Sequence, residues 1–282
     1  VKIVEEFART IEREIDYTVE AGSMERVAGQ FLGDPTVYVP KIYRNVSTHR
    51  VLTAEYIEGI KVSNIDGLCE AGYDCPLITE RGTDVLLKQI FTFGFFHADP
   101  HPGNVFVLPD NVICLLDFGM MGAVDRSTRE IFVSLVDSII RQDEPRAAQV
   151  LLKLTDWDDE PDVILLEKDV ADFISRHLYR PLKDVQLGKL LQHLLELATK
   201  HCMRIPPDIL LMLKALSQVE NVARILYPEF DMIQKATPFI RQIKLSRLSP
   251  RRLADDAVQL VEQSYEFLTD FPKDLLELSR SL

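Results

Sequence analysis

Apolar residues recur at four-residue spacing from the start of the chain, at Ile3, Phe7, Ile11, Ile15 and Val19, as one buried face of a helix requires. This predicts a helix over about 1–21, ended by Gly22, with Asp16 and Glu20 on a common face. Thr36–Tyr43 and Arg50–Ile57 alternate in the manner of strands, separated by a polar turn at Asn45–His49. Thr79–Phe96 reads as a helix, and two apolar runs, Val105–Leu108 and Val112–Leu116, flank the turn residues Pro109-Asp110-Asn111 as a β-hairpin would. Ser127-Thr128-Arg129-Glu130 has the form of a capping box and opens a helix through Ile140. Beyond it the periodicity is almost wholly helical, over about 145–154, 161–178, 187–202, 207–226 and 250–280. The pattern is that of an α+β chain, predominantly helical, with a small sheet.

The hairpin carries the chemistry. Asn104 and Asp117 lie symmetrically about its turn, so antiparallel pairing brings both side chains to the open end, roughly 5–8 Å apart. An amide oxygen and a carboxylate then face a common point. Magnesium takes oxygen ligands, keeps several waters and uses one or two protein groups beside substrate phosphates, so a sparse pair suits it. Asp99 precedes Asn104 by five residues, in a loop stiffened by Pro100 and Pro102 and able to bend at Gly103. A protein-kinase catalytic loop has the same order: His-Arg-Asp, four residues, Asn, then Asp-Phe-Gly. Here the order and spacing are kept, with Ala98 in place of the arginine.

The octapeptide His97-Ala98-Asp99-Pro100-His101-Pro102-Gly103-Asn104, followed by Asp117-Phe118-Gly119, resembles the catalytic loop of the UbiB family of atypical, kinase-like proteins. Glu14-Ile15-Asp16, with Glu20 beyond it, looks like that family's Glu-x-Asp motif and helix glutamate. Leu52–Gly59 looks like the strand that joins two kinase lobes, and Ile205-Pro206-Pro207 with Leu216–Glu220 like the family's C-terminal helical region. The resemblance implies a protein-kinase-like fold, mainly the C-lobe: residues 1–57 as the last part of the N-lobe, 58–240 as the C-lobe, and 241–282 as a helical extension. It further implies ATP and Mg2+ as cofactors, Asp99 as the acceptor-orienting base, and Asn104 and Asp117 as metal ligands. Glu20 would pair with a nucleotide-binding lysine, the backbone of Glu55, Tyr56 and Ile57 would meet adenine, and Glu14 and Asp16 would contact a family-specific N-terminal extension.

By the same resemblance the chain supports ubiquinone or related prenyl-quinone biosynthesis, with membrane lipid or a quinone precursor and quinone-biosynthesis enzymes as partners. The expected location is the cytoplasmic side of a membrane in a bacterium, or a mitochondrial or plastid membrane face in a eukaryote. No Gly-rich or Ala-rich phosphate loop and no Val-Ala-Ile-Lys strand precede the first helix, and the chain opens at Val1 inside helical periodicity. Both points predict a piece of a longer protein. Only seven residues separate Gly119 from Ser127, too few for a peptide-docking activation segment, so a small or lipid acceptor, or water, is expected. An alternative is a nucleotide-binding, lipid-associated scaffold with negligible turnover.

Charge narrows the partners. A net charge of −12 over 282 residues disfavours nucleic acid, whose phosphates need clustered lysine and arginine. Four scattered cysteines, Cys69, Cys75, Cys114 and Cys202, without a Cys-x-x-Cys pair, suit free thiols. Rival readings attach to several features. His97-x-Asp99-x-His101 could chelate zinc or iron; Glu14, Asp16 and Glu20 could be a solvated helix face. Arg241, Lys244, Arg247, Arg251 and Arg252 could meet anionic head groups or simply face water. Met203, Leu210, Leu211 and Met212 could line a lipid groove or fill a core.

Overall fold

The computed structural model describes residues 16–178 and 187–247. The chain divides into two compact units, Val1–Phe239 and Ile240–Leu282. Of the second unit only the helical stretch 240–247 is described. The expected helix at 250–280 and the residues before Asp16, Glu14 among them, lie outside the described residues.

Helix α1 spans Tyr17–Gln30, with Asp16 as its N-cap accepting a hydrogen bond from the Thr18 amide. It does not stop at Gly22. A mid-helix glycine costs about 1 kcal/mol, whereas Met24, Val27 and the following Phe31 continue the buried face, each contributing about 1.5–3 kcal/mol when fully buried. Burial outweighs propensity, and the helix runs on.

The two long strands expected over 36–57 are nearly absent. Val37–Tyr38 (β1) is all that enters the sheet, and residues 50–57 form only an isolated bridge, Ile42 with Ala54, beside a tight Thr48–Val51 bridge. Antiparallel contact survives in two hydrogen bonds, Tyr43 N to Thr53 O and Glu55 N to Lys41 O. Pro40, which has no N–H to give a ladder, and a 3₁₀ turn at Arg44–Val46 interrupt the rest. A short strand that the alternation did not suggest, Ile60–Lys61 (β2), pairs with the hairpin instead.

A short helix, Ile65–Glu70 (α2), leads to Cys75–Leu87 (α3), capped by Asp74. Its last turns, Lys88–Phe93, widen into a π-helix and end at Gly94, whose φ of 71° is a left-handed geometry that glycine adopts without a Cβ penalty. Phe95–His97 (β3) is therefore a strand and not the end of the expected helix; it pairs antiparallel with Met121–Ala123 (β6). Arg129 fastens this junction by donating to the carbonyls of Phe91 and Thr92.

Val105–Leu108 (β4) and Val112–Leu115 (β5) form the expected hairpin, in register Val105 with Leu115 through Leu108 with Val112. Asp110 and Asn111 take φ of 61° and 57° in its turn, as Asp and Asn tolerate best among non-glycine residues. The sheet order is β1-β5-β4-β2, with only β1 and β5 parallel. Its core side packs Val107, Ile113 and Leu115 with Met24 and Val27 of α1, with Phe31 just beyond that helix, and with Ile78 and Val85 of α3.

The remaining helices are Arg126–Ile140 (α4), Glu144–Leu154 (α5), Val163–Leu178 (α6), Leu187–Lys200 (α7), Pro207–Leu226 (α8) and Met232–Arg247 (α9). Four of these, α5 to α8, match the expected spans within two residues; α9 was not foreseen, and it carries Pro238 inside it. The cap of α4 is Asp125, which accepts from the Thr128 amide, and not Ser127. Glu130 pairs instead with Arg126 at 3.2 Å. Met203 and Met212 are buried.

Candidate active site

The hairpin delivers its two polar residues together. Beyond the last strand pair, Leu116 N still donates to Asn104 O at 2.9 Å. Asn104 and Asp117 then face one another, and Asn104 Nδ2 donates to Asp117 Oδ2 at 3.3 Å. In this orientation the amide nitrogen faces Asp117; a half-turn of the carboxamide would present Asn104 Oδ1 there instead. Asp117 itself takes a left-handed φ of 62°, which aspartate adopts more readily than most non-glycine residues. Its other oxygen accepts the Gly119 amide at 3.2 Å, while the next residue, Phe118, turns inward and is 1% exposed.

That inward turn is fixed from α1. Glu20 Oε1 accepts the Phe118 backbone N–H at 2.9 Å, so the helix glutamate and the Asp-Phe-Gly segment form one hydrogen-bonded unit across 98 residues of sequence. Burial, with a smaller contribution from the Asp117 charge, pushes the Glu20 carboxyl above its ordinary value, although the Phe118 hydrogen bond opposes this. Asp16, by contrast, is spent on capping α1: Thr18 donates to Asp16 Oδ1 from both its amide and its hydroxyl, and the hydroxyl bond foremost holds the carboxyl below its usual range.

The loop between β3 and β4 positions Asp99. Ala98 N donates to Met120 O, His101 N to Asp99 O, and Asn104 N to His101 O, so the loop is bonded to itself and to the strand after Asp-Phe-Gly. His97 is buried beneath it, its ring 5.7 Å from that of Phe118. Its Nδ1 accepts the Asp99 amide at 3.2 Å, which assigns the neutral tautomer with the proton on Nε2. Burial holds its pKa down. His97 is thus a strut for the loop. His101 plays a similar part at the surface, accepting the Gly103 amide on Nδ1 at 3.1 Å; a Cβ on Gly103 would lie 2.8 Å from its ring. The alternating His-Asp-His pattern is accounted for by these backbone bonds, and among the described residues no group of three His, Cys, Asp or Glu side chains is arranged to hold a metal.

The Asp99 carboxylate is half-buried and reaches helix α8. Gln218 Nε2 donates to Asp99 Oδ1 at 2.7 Å, and Lys214 Nζ stands 3.7 Å from the same oxygen. Burial would raise the Asp99 carboxyl, but the Gln218 hydrogen bond and the Lys214 charge outweigh it and hold Asp99 below its ordinary range. Local spacing gives no hint of these two residues, since they lie more than a hundred positions downstream.

Glu55, Tyr56 and Ile57 stand apart from this cluster. Glu55 Oε2 accepts from the Tyr38 hydroxyl at 2.6 Å and from the Lys41 amide at 3.2 Å, and Tyr56 is 85% exposed. Among the described residues no hydrogen bond joins 55–57 to Asp99, Asn104 or Asp117.

The arrangement offers a carboxylate, Asp99, on a hydrogen-bonded loop and, at the end of that loop where the hairpin opens, a carboxamide paired with a second carboxylate. Two protein oxygens are the donor set that suits magnesium when phosphates and water complete the shell, so the residues fit such an ion.

Comparison with known proteins identifies the family. The model of the ABC1 atypical kinase-like domain matches residues 1–151, and that of the UbiB helical domain matches 170–231. The protein named "Probable protein kinase UbiB" from Azotobacter vinelandii is 30% identical over 267 residues, covering 93% of this chain and 50% of its own length. Its namesake from Pseudomonas fluorescens strain Pf0-1 is 30% identical over 281 residues, covering 98% and 52%. The chain thus spans about half the length of the curated relatives it matches. Among solved structures, the Rv3197–erythromycin complex from Mycobacterium tuberculosis superposes with a TM-score of 0.55 at 20% identity, covering 79% of this chain and 57% of that one; the shared fold is kinase-like. The chain belongs to the ABC1/UbiB family of atypical kinase-like proteins, its residues 1–151 matching the ABC1 domain and 170–231 the UbiB helical domain.

Proposed function

We propose that this chain carries the phosphoryl-transfer half of an ATP-dependent, Mg2+-requiring atypical kinase or ATPase that supports ubiquinone or related prenyl-quinone biosynthesis. The observation that supports it most is the pairing of Asn104 with Asp117 at the hairpin end, 3.3 Å apart, next to the loop that holds Asp99 ionised. Asn104 and Asp117 would hold the magnesium, which supplies charge compensation for the nucleotide phosphates. Asp99 orients the acceptor hydroxyl and takes its proton. Glu20 holds Phe118 in place, so the metal-binding acid keeps its orientation. Loose transition states of phosphoryl transfer ask the protein for position and electrostatics more than for covalent chemistry, and a bonded loop of this kind provides position.

The acceptor is water or a small or lipid hydroxyl. Only Met120 to Asp125 lie between Gly119 and α4, and half of them form β6, so a peptide has no shelf on which to lie. Membrane lipid or a quinone precursor, and the enzymes of quinone synthesis, are the partners that family membership suggests. Among the described residues no helix is long and apolar enough to cross a membrane.

The test is ADP release by the full-length protein with Mg2+, wild type beside Asp99→Asn, with and without anionic liposomes or a quinone-precursor analogue. Turnover that rises with these additions and is lost in Asp99→Asn supports the reading. Nucleotide binding with no turnover under any addition would instead make the protein a nucleotide-dependent scaffold.

A further inference from the structure

The catalytic segment has no cation of its own. From His97 to Gly119 there is neither lysine nor arginine, and Ala98, fully buried, stands where the kinase loop carries arginine. Phosphoryl transfer nevertheless concentrates negative charge between donor and acceptor, and fixed positive groups there are among the strongest contributors to rate. Among the described residues the cation paired with Asp99 comes from helix α8.

We propose that α8 completes this site: Lys214 as a catalytic cation that meets the transferring phosphoryl group, and Gln218 as the positioning residue that aims Asp99. The inference rests on the phosphoryl-transfer reading given above and assigns parts of that site to the helical domain. Lys214 and Gln218 are four residues apart and so share one face of the helix. Gln218 Nε2 approaches Asp99 Oδ1 to 2.7 Å, a full hydrogen bond, and its Oε1 is buried with no partner among the described residues. The Gln218 side chain therefore serves Asp99 with its only engaged atom. Lys214 Nζ lies 3.7 Å from the same Asp99 oxygen and 3.9 Å from Met120 Sδ, with its side chain 45% exposed. It is too far for a tight ion pair with Asp99 and half-exposed, so it has donors to spare for a phosphate beside that carboxylate.

In the step itself the acceptor oxygen bonds to the γ-phosphorus of ATP and the bond from that phosphorus to the β–γ bridging oxygen breaks. ADP leaves with the electron pair, and the acceptor proton passes to Asp99 and then to solvent. Lys214 faces the charge that grows on the phosphoryl oxygens.

The experiment is steady-state ADP release by the full-length protein across pH for wild type, Lys214→Met, Lys214→Arg and Gln218→Leu, with Mg2+-nucleotide affinity measured separately on each. Lys214→Met should lower kcat by roughly 100-fold or more, the loss typical of removing one charge-stabilising donor, with nucleotide affinity little changed; Lys214→Arg should restore part of it. Gln218→Leu should move the acid limb of kcat/KM to higher pH, because Asp99 loses the hydrogen bond that holds it ionised. Wild-type turnover with unchanged kcat in Lys214→Met and an unmoved acid limb in Gln218→Leu would overturn this inference and leave the phosphoryl-transfer reading standing. Wild type that binds nucleotide without any turnover would overturn both.

Discussion

Replacing Glu20 should separate two properties of its carboxylate, the acceptor it offers to Phe118 and the charge it keeps half-buried. In Glu20→Ala the Phe118 N–H, bonded at 2.9 Å in the wild type, loses its partner next to a fully buried ring. A hydrogen bond to a charged acceptor is worth about 1.5–3 kcal/mol, and leaving a buried amide unsatisfied costs a similar amount. At about 2 °C per kcal/mol for a chain of this size or larger, the unfolding midpoint should fall by roughly 3–6 °C. Glu20→Gln keeps an oxygen for Phe118 and removes the charge that burial and Asp117 both oppose, so it should stay within about 1 kcal/mol of wild type. The pH dependence has a definite sign. Because the folded protein raises the Glu20 pKa above the ordinary 4.5, the stability it contributes is full below that value and is lost as pH rises through the raised one. Wild type should therefore lose ground to Glu20→Gln as pH rises from about 4.5 toward neutral. Differential scanning calorimetry of the full-length proteins across that range is the assay. A Glu20→Ala midpoint equal to wild type, or a gap that moves in wild type's favour with rising pH, would refute the reasoning.

Further outcomes follow from other parts of the structure. Thr83 Oγ1 is buried without a partner among the described residues, on the wall of a cavity of about 50 Å3 lined mostly by apolar side chains. Thr83→Val removes an unsatisfied hydroxyl at nearly constant volume and should raise the unfolding midpoint or leave it unchanged; a loss of more than about 1 kcal/mol would mean that the hydroxyl has a partner. Asp34, held down to about 2 by the Thr36 hydroxyl and by Lys88 against the opposing effect of burial, contributes stability above its ordinary 3.8 that is lost as pH falls through about 2. Asp34→Asn should flatten acid unfolding in that window, read by circular dichroism. Cys114, pushed up to about 12 by burial, should resist a thiol reagent that modifies the exposed Cys69 and Cys202, as mass spectrometry of the native protein after brief labelling would show.

The parts of the site that were legible in sequence are those whose partners are close along the chain. Asn104 and Asp117 could be paired because a hairpin register is set by its turn and its apolar runs, and the observed register places them in direct contact, closer than the spacing alone required. Helices α5 to α8 were legible because each carries a long apolar stripe. The strand Phe95–His97 was misread as helix because a short apolar run has no period of its own, and Gly94 was the only sign of the break. The strands at 36–43 and 50–57 shrank where Pro40 and the 3₁₀ turn removed ladder bonds, a loss that alternation does not report. The bonds from Glu20 to Phe118 and from Gln218 to Asp99 join residues 98 and 119 apart. Tertiary packing alone creates them. Family resemblance singled out Glu20, but Lys214 and Gln218 emerged only from the fold.

The most direct test of the account is the Mg2+ dependence of ATP affinity, measured by isothermal titration calorimetry on full-length wild type and on Asp117→Asn. If Asn104 and Asp117 hold the metal that bridges to the phosphates, Mg2+ should tighten ATP binding in the wild type, and Asp117→Asn should lose roughly tenfold or more of that tightening, the equivalent of at least about 1.4 kcal/mol. Equal Mg2+-dependent affinity in the two proteins would contradict the assignment of this hairpin end as the metal–phosphate site.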